Sequence, residues 1–84
     1  MAKIIYANGK EKVVHPENGT DFSLKEMQTI VGGYIEIVTD RNGDYLVCNE
    51  EGKLMGLPIN HKASMLFGAM MNGDILVASE NELK

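Results

Sequence analysis

The stretch from Gly32 to Asn60 reads GGYIEIVTDRNGDYLVCNEEGKLMGLPIN, and it decides the fold. Two apolar runs, at 34–39 and 44–49, flank a cluster of turn-forming residues at 40–43. Apolar β-branched and aromatic runs on either side of such a cluster predict an antiparallel hairpin. Its polar residues concentrate at turns and its strands are apolar. The stretch therefore predicts a sheet but indicates no enzymatic activity.

The register of this hairpin determines which side chains share a face. A loop of four residues (40–43) and a loop of two (42–43) give the same parity. One face, predicted to point into the core, carries Ile35, Ile37, Leu46 and Cys48, and the other carries Tyr34, Glu36, Val38, Tyr45, Val47 and Asn49. Cys48 is therefore expected to be a buried and unreactive thiol.

Two helices are predicted. Ser23 and Glu26 form an S-x-x-E capping box, and Phe22 with Met27 forms the accompanying hydrophobic staple, which predicts a helix over about 23–31. Gly32 or Gly33 is expected to end it in the left-handed conformation. A second helix is predicted to start after Asn60, to run through Phe67 and to be weakened by Gly68.

Short strands complete the prediction. Asn8-Gly9 predicts a type I′ turn between strands at 3–6 and 10–15, and further strands are predicted at 53–57 and 74–78. The polar tail after Ser79 is expected to fray. The chain is thus predicted to be one α+β domain over residues 1–84, with a mixed or antiparallel sheet of five to six strands, two short helices on one face, and the order β-β-α-β-β-β-α-β.

Composition excludes several classes of protein. A net charge of −4 over 84 residues, with scattered basic residues, disfavours a nucleic-acid-binding protein. The single cysteine excludes an internal disulfide, and no apolar run approaches the roughly 18 residues of a membrane span. No signal peptide is recognisable, so we expect a cytoplasmic protein without a membrane partner.

Metal and cofactor motifs are weak. The segment 40–44 with Glu51 has part of the spacing of a calcium loop, but Tyr45 stands where that loop needs glycine, and we interpret the segment as a hairpin turn. His15, His61 and Cys48 lack the spacing of zinc ligands. Glycine-rich nucleotide loops are absent. We expect no cofactor, no metal and no catalytic residue, and a small hydrolase using Glu50 or Cys48 ranks last among the interpretations.

Polar residues at the predicted strand ends are the candidates for a ligand-binding site at the edge of the sheet. Turn and capping roles are the alternative interpretation of each residue taken singly. The candidates are Tyr34, Glu36, Asn49, Glu50, Lys53 and Asn60.

Several motifs together resemble those of a known family. These are GGYIEIV at 32–38, NEEGKL at 49–54, GLPIN at 56–60, Ala63-Ser64 (where Ala-Thr would be expected) and GDILV at 73–77. They resemble small proteins of unknown function encoded by bacteriophages, plasmids and other mobile elements. The resemblance covers about 22–78 and transfers no catalytic residue. It implies an accessory protein in the cytoplasm of a bacterial host.

Two functions remain open. We expect a non-enzymatic protein that binds a host or phage protein stoichiometrically, because so short a chain rarely supplies a complete catalytic site. The alternative is a protein that sequesters a small molecule such as a signalling nucleotide and so counters host defence. In either case the apolar residues Met65, Leu66, Phe67, Met70 and Met71 exceed what one helical face can bury, which predicts a homo-oligomer.

Overall fold

A single antiparallel sheet carries the structure. The computed structural model describes residues 2–40 and 42–83, and Arg41 of the predicted hairpin loop lies outside them. The strands are β1 (Ala2–Ile5), β2 (Glu11–Val14), β3 (Ile35–Thr39), β4 (Tyr45–Asn49) and β5 (Ile75–Ala78), in the spatial order β2-β1-β5-β4-β3. The helices are α1 (Leu24–Val31), α2 (His61–Phe67) and a 3₁₀ helix (Glu80–Glu82). The predicted α+β class is confirmed.

The two helices cover opposite faces of the sheet. Successive residues of β5 alternate between two apolar clusters, and all four are buried. Met27 and Val31 of α1 join Leu76 in the first cluster, while Ala63 of α2 joins Ile75 in the second. The expectation of both helices on one face is wrong, because a central strand that is apolar on both sides needs a layer on each.

The register of the β3–β4 hairpin differs from the predicted one. Ile35 lies opposite Asn49, and Asp40 N–H donates to Asp44 O at 2.8 Å, which leaves three residues in the loop. Gly43 supplies the left-handed residue, with φ of 88°. Three-residue loops that use such a glycine are a common alternative to two-residue turns.

An odd loop length exchanges the faces of one strand relative to the other. The α1 side therefore carries Ile35, Ile37, Tyr45, Val47 and Asn49, and the α2 side carries Glu36, Val38, Leu46 and Cys48. The prediction that Ile35 and Ile37 share a face with Cys48 is wrong, although the burial of Cys48 is confirmed.

The first hairpin closes in the same way. Tyr6 N–H donates to Lys10 O at 2.8 Å, and Gly9 has φ of 91°. Asn8 has no positive φ, so the predicted type I′ turn is wrong. Instead, the Asn8 side chain accepts a hydrogen bond from Lys10 N–H at 2.9 Å, which stabilises the three-residue loop.

The strand predicted at 53–57 does not form. Met55 N–H donates to Glu51 O at 2.8 Å and Leu57 N–H to Gly52 O at 3.0 Å, so the segment folds into consecutive turns. Gly56, with φ of 70°, permits the reversal. These turns follow directly on β4 and form one side of the site described below.

The tail docks against the body of the domain. Phe22 N–H donates to Glu82 O at 2.7 Å, and Leu83 packs against the first apolar cluster. The expectation of a fraying tail is wrong for residues 79–83, because this bond and the partial burial of Leu83 anchor them. Lys84 lies outside the described residues. Among the described residues, no helix is long and apolar enough to cross a membrane.

The start of α1 is confirmed in detail. Ser23 Oγ accepts from Glu26 N–H at 3.1 Å, and Glu26 Oε1 accepts from Ser23 N–H at 2.8 Å. Phe22 and Met27 are both buried, as the staple requires. Hydrogen bonds from the Ser23 and Glu17 N–H groups lower the pKa of Glu26, so this cap stabilises the fold above the ordinary glutamate pKa and is lost as the pH falls through the lowered value.

The Asn60 side chain joins three parts of the fold. Its Oδ1 accepts from Ala63 N–H at 3.1 Å, which caps α2 as predicted. Its Nδ2 donates to Ile5 O at 2.7 Å and to Gly73 O at 2.9 Å. The residue is fully buried, so β1, the turn before β5 and α2 all depend on one amide.

We expect Ser23→Ala to lower the free energy of unfolding by about 1 kcal/mol, because it removes the N-cap acceptor. Urea denaturation measures the change through the midpoint at constant slope. An unchanged midpoint would contradict the capping role.

We expect Asn60→Ala to cost more, about 3 kcal/mol, because it removes a cap and leaves two carbonyl groups without their amide donor. Asn42→Ala is the matched control, since Asn42 is an exposed loop asparagine. Equal denaturation midpoints for the two variants would contradict the role assigned to Asn60.

Candidate functional site

A cavity of about 300 Å³ opens at the β3 edge of the sheet, on the α2 side. Its floor is the part of the sheet that α2 does not cover, and it is formed by Glu36 and Val38 of β3 and Cys48 of β4. The turns after β4 supply one wall, including Glu50 and Lys53, and the connection from α2 to β5 supplies the other, including Phe67, Met70 and Met71. The volume is at the lower limit of small-ligand sites.

Four of the six predicted site residues lie around this cavity. They are Glu36, Asn49, Glu50 and Lys53. Glu36 is brought there by the three-residue loop, which turns it to the α2 side, and Glu50 and Lys53 by the turns that replace the predicted strand. These residues therefore converge at the β3 edge, which the sequence alone did not determine.

Asn49 has a structural role within this group. Its Nδ2 donates to Val31 O at 3.1 Å, and its Oδ1 accepts from Glu51 N–H at 2.8 Å. The amide thus fixes the end of α1 to the turn after β4. A Cβ on Gly33 would come within 2.9 Å of the Asn49 Nδ2, so a larger residue there would displace this hydrogen-bonded amide.

The other two predicted residues lie elsewhere. Tyr34 is 68 % exposed and lies along a separate shallow groove with Gln28 and Met55, near the end of α1. Its carbonyl accepts from Glu50 N–H at 2.8 Å, which extends the β3–β4 pairing by one residue. The Asn60 side chain is fully buried and uses its amide within the fold.

The environment of Cys48 makes its thiol unreactive. Cys48 lies opposite Glu36 in the β3–β4 ladder, and its Sγ donates to Glu36 O at 3.5 Å. Burial, and secondly the negative charge of Glu36, raise the pKa of the Cys48 thiol to about 11. A cysteine nucleophile needs a lowered pKa, so this arrangement is the reverse of an activated thiol.

Negative charge predominates at the β3 end of the molecule. The sequence from 34 to 56 contains five acidic and two basic residues, which accounts for −3 of the net charge of −4. Two of the acidic side chains, Glu36 and Glu50, lie at the cavity beside one ammonium group, that of Lys53. The cavity therefore matches a cationic group better than an anionic one.

The apolar wall was missed as part of the site. The sequence assigns Phe67, Met70 and Met71 to a predicted subunit contact, and the structure shows that they also line the cavity. Their excess over one helical face was a signal of a special role. Their position near β3 depends on the strand order, which places β4 next to β5 and β3 next to β4 at the edge of the sheet.

The acidic turn at Asp40 is built as a hairpin loop. Asp40 Oδ1 accepts from Asn42 N–H at 2.8 Å and from Asp44 N–H at 2.9 Å, which is the geometry of an Asx-type turn. Within residues 2–40 and 42–83, no group of three or more His, Cys, Asp or Glu side chains is arranged to hold a metal ion.

We expect native thiol labelling of Cys48 to be slow at pH 7 and to accelerate as the pH rises toward 11, because only the thiolate reacts. Labelling with a chromogenic disulfide from pH 7 to 10 measures it. The urea-unfolded protein is the control and should react rapidly. Equal rates in the folded and unfolded protein at pH 7 would contradict the burial.

Comparison with known proteins gives one family. Residues 2–83 match the model of DUF3846, a domain of unknown function. No curated protein and no solved structure matches the chain. Because the family model covers nearly the whole sequence, the chain belongs to the DUF3846 family.

Proposed function

We propose that this protein is a non-enzymatic accessory protein that acts by binding a host or phage protein stoichiometrically. The observation that carries the proposal is the cavity at the β3 edge, which combines acidic side chains with an apolar wall beside an uncovered strand. Met70 in that wall is 58 % exposed. Interfaces between proteins commonly combine exposed methionine or aromatic side chains with a polar rim.

The chemistry of the cavity supports binding over catalysis. The Cys48 thiol, which was the candidate nucleophile, has a pKa raised to about 11. Glu50 is exposed at a turn. A catalytic site encloses the reacting groups and excludes water from them, and an exposed turn does not.

The same charges weigh against sequestration of a nucleotide. Phosphate groups are anionic, and two carboxylates with one ammonium group do not attract them. Nucleotide sequestration by a protein that counters host defence stays the alternative, and the experiment below distinguishes it by mass.

The biological context rests on the resemblance of the sequence motifs to proteins of phages and plasmids. We propose a phage or mobile-element origin and action in the bacterial cytoplasm. The acidic character of the chain, −4 overall, is consistent with a protein partner and disfavours nucleic acid.

Self-association is proposed through α2. Met65 on its outer surface is 81 % exposed, and Leu66 beside it is only partly buried. Burial of this side chain against an apolar surface of a second copy would remove it from water, which is favourable. A homodimer through this surface leaves the cavity open to the partner protein.

We expect native mass spectrometry of the protein purified from its bacterial host to show a homo-oligomer carrying a co-purified polypeptide in fixed ratio. Met70→Glu should reduce the bound polypeptide, because it introduces a charge into the apolar wall. Leu24→Glu is the matched control, since Leu24 is 57 % exposed but lies on α1, on the opposite side of the sheet.

Three results would contradict the proposal. A bound mass of a few hundred daltons would favour nucleotide sequestration. Equal loss of the polypeptide in both variants would place the contact outside the cavity. A monomer at every concentration would contradict the homo-oligomer alone.

A further inference from the structure

The outer edge of β3 presents unpaired backbone groups. Glu50 N–H donates to Tyr34 O and Asp40 N–H donates to Asp44 O, both at 2.8 Å, so Tyr34 and Asp40 face β4. Bonded and non-bonded residues alternate along an antiparallel pair. The N–H and C=O groups of Ile35, Ile37 and Thr39 therefore point away from β4, and no partner for them exists among the described residues.

The opposite edge of the sheet is better protected. Strand β2 has four residues and carries Glu11 and Lys12. Glu11 forms ion pairs with Lys3 at 2.9 Å and with Lys62 at 3.2 Å, which spread a charged network along that side. Charged side chains and short strands protect an edge against pairing. In β3, by contrast, Glu36 is the sole charged residue among five.

The free edge and the cavity are continuous. Glu36 and Val38 belong to β3 and form part of the cavity floor. A strand added beside β3 would extend that floor, and every second side chain of the added strand would point toward the cavity. The intervening side chains would cover Ile37, which is 42 % exposed on the α1 side.

We propose that β3 accepts an extended segment of the partner protein as a sixth strand, with a lysine or arginine side chain placed against Glu36 and Glu50. This inference rests on the proposed protein-binding function and specifies its mode. Backbone pairing supplies affinity, and the cavity selects a basic residue with apolar residues two positions away on either side, facing Val38, Phe67 and Met70.

Charge complementarity favours such a basic segment over a second copy of this chain. Two copies meeting at β3 would bring together two ends that each hold −3 in charge. Like charges across an interface are unfavourable, whereas a basic strand neutralises part of this field and gains a faster encounter.

The test uses a peptide titrated into the ¹⁵N-labelled protein. The probe is acetyl-Val-Thr-Lys-Thr-Val-Thr-amide, which alternates faces and places lysine between two valines. We expect hydrogen exchange at the Ile35, Ile37 and Thr39 amides to slow on binding, while the Glu36 and Val38 amides, already directed at β4, change little.

Matched controls test the charge. Replacing lysine by glutamate in the peptide should weaken binding to the unaltered protein. Glu36→Gln should reduce the preference for the lysine peptide, measured as the ratio of the two affinities, about fivefold, as expected for a partly exposed ion pair. Glu17→Gln changes another exposed acidic residue, outside the cavity, and should leave the preference intact.

The outcomes separate this inference from the proposed function. Equal binding of the two peptides, protection away from β3, or no binding up to the solubility limit overturns strand addition at this site, even if a polypeptide co-purifies with the protein. Concentration-dependent protection of the Ile37 amide without peptide also overturns it, by assigning the edge to a second copy. If no polypeptide co-purifies but the peptide binds as expected, the proposed function is contradicted, while the ability of β3 to accept a basic strand is supported.

Discussion

The buried amide of Asn60 is the constraint on which the rest of the structure depends. One side chain bonds the end of β1 through Ile5 O, the turn before β5 through Gly73 O, and the first turn of α2 through Ala63 N–H. Because the amide is fully buried, water cannot replace a lost partner. These bonds help to place β5 beside β1 and α2 on the second face of the sheet. That placement leaves the β3 end of the same face uncovered.

A single residue of loop length determines the chemistry of the uncovered surface. With an even loop, Glu36 would lie on the α1 side and Cys48 on the other side. The three-residue loop closed by Gly43 puts both on the α2 side, where the carboxylate helps to raise the pKa of the thiol. Glu36 therefore places a carboxylate in the floor of the cavity, and Cys48 lies in the same floor as an unreactive thiol.

The two ends of the sheet differ in a way that matters for association. The β2 end carries an ion-pair network around Glu11, and the β3 end carries most of the net negative charge beside unpaired backbone groups. An open five-stranded sheet has two edges, and among the described residues charged pairs protect the β2 edge and not the β3 edge. The unprotected edge lies against the cavity, so a strand-like partner would contact backbone, carboxylate and apolar wall together.

Local signals allowed the sequence alone to predict the α+β class and both helix starts with their caps, and to select Glu36, Glu50 and Lys53 as candidate site residues. Their convergence at one cavity was decided by the tertiary structure. Capping boxes, asparagine caps and left-handed glycines act within a few residues, so they can be read directly from the chain. The exchange of faces in the hairpin could not be predicted, because two-residue and three-residue loops share the same turn residues. The turns at 51–56 and the docking of the tail could not be predicted from local signals either. Only the tertiary structure decided that the helices take opposite faces and that the wall from Phe67 to Met71 meets β3. These contacts join residues far apart in sequence, through the insertion of the last strand between β1 and β4.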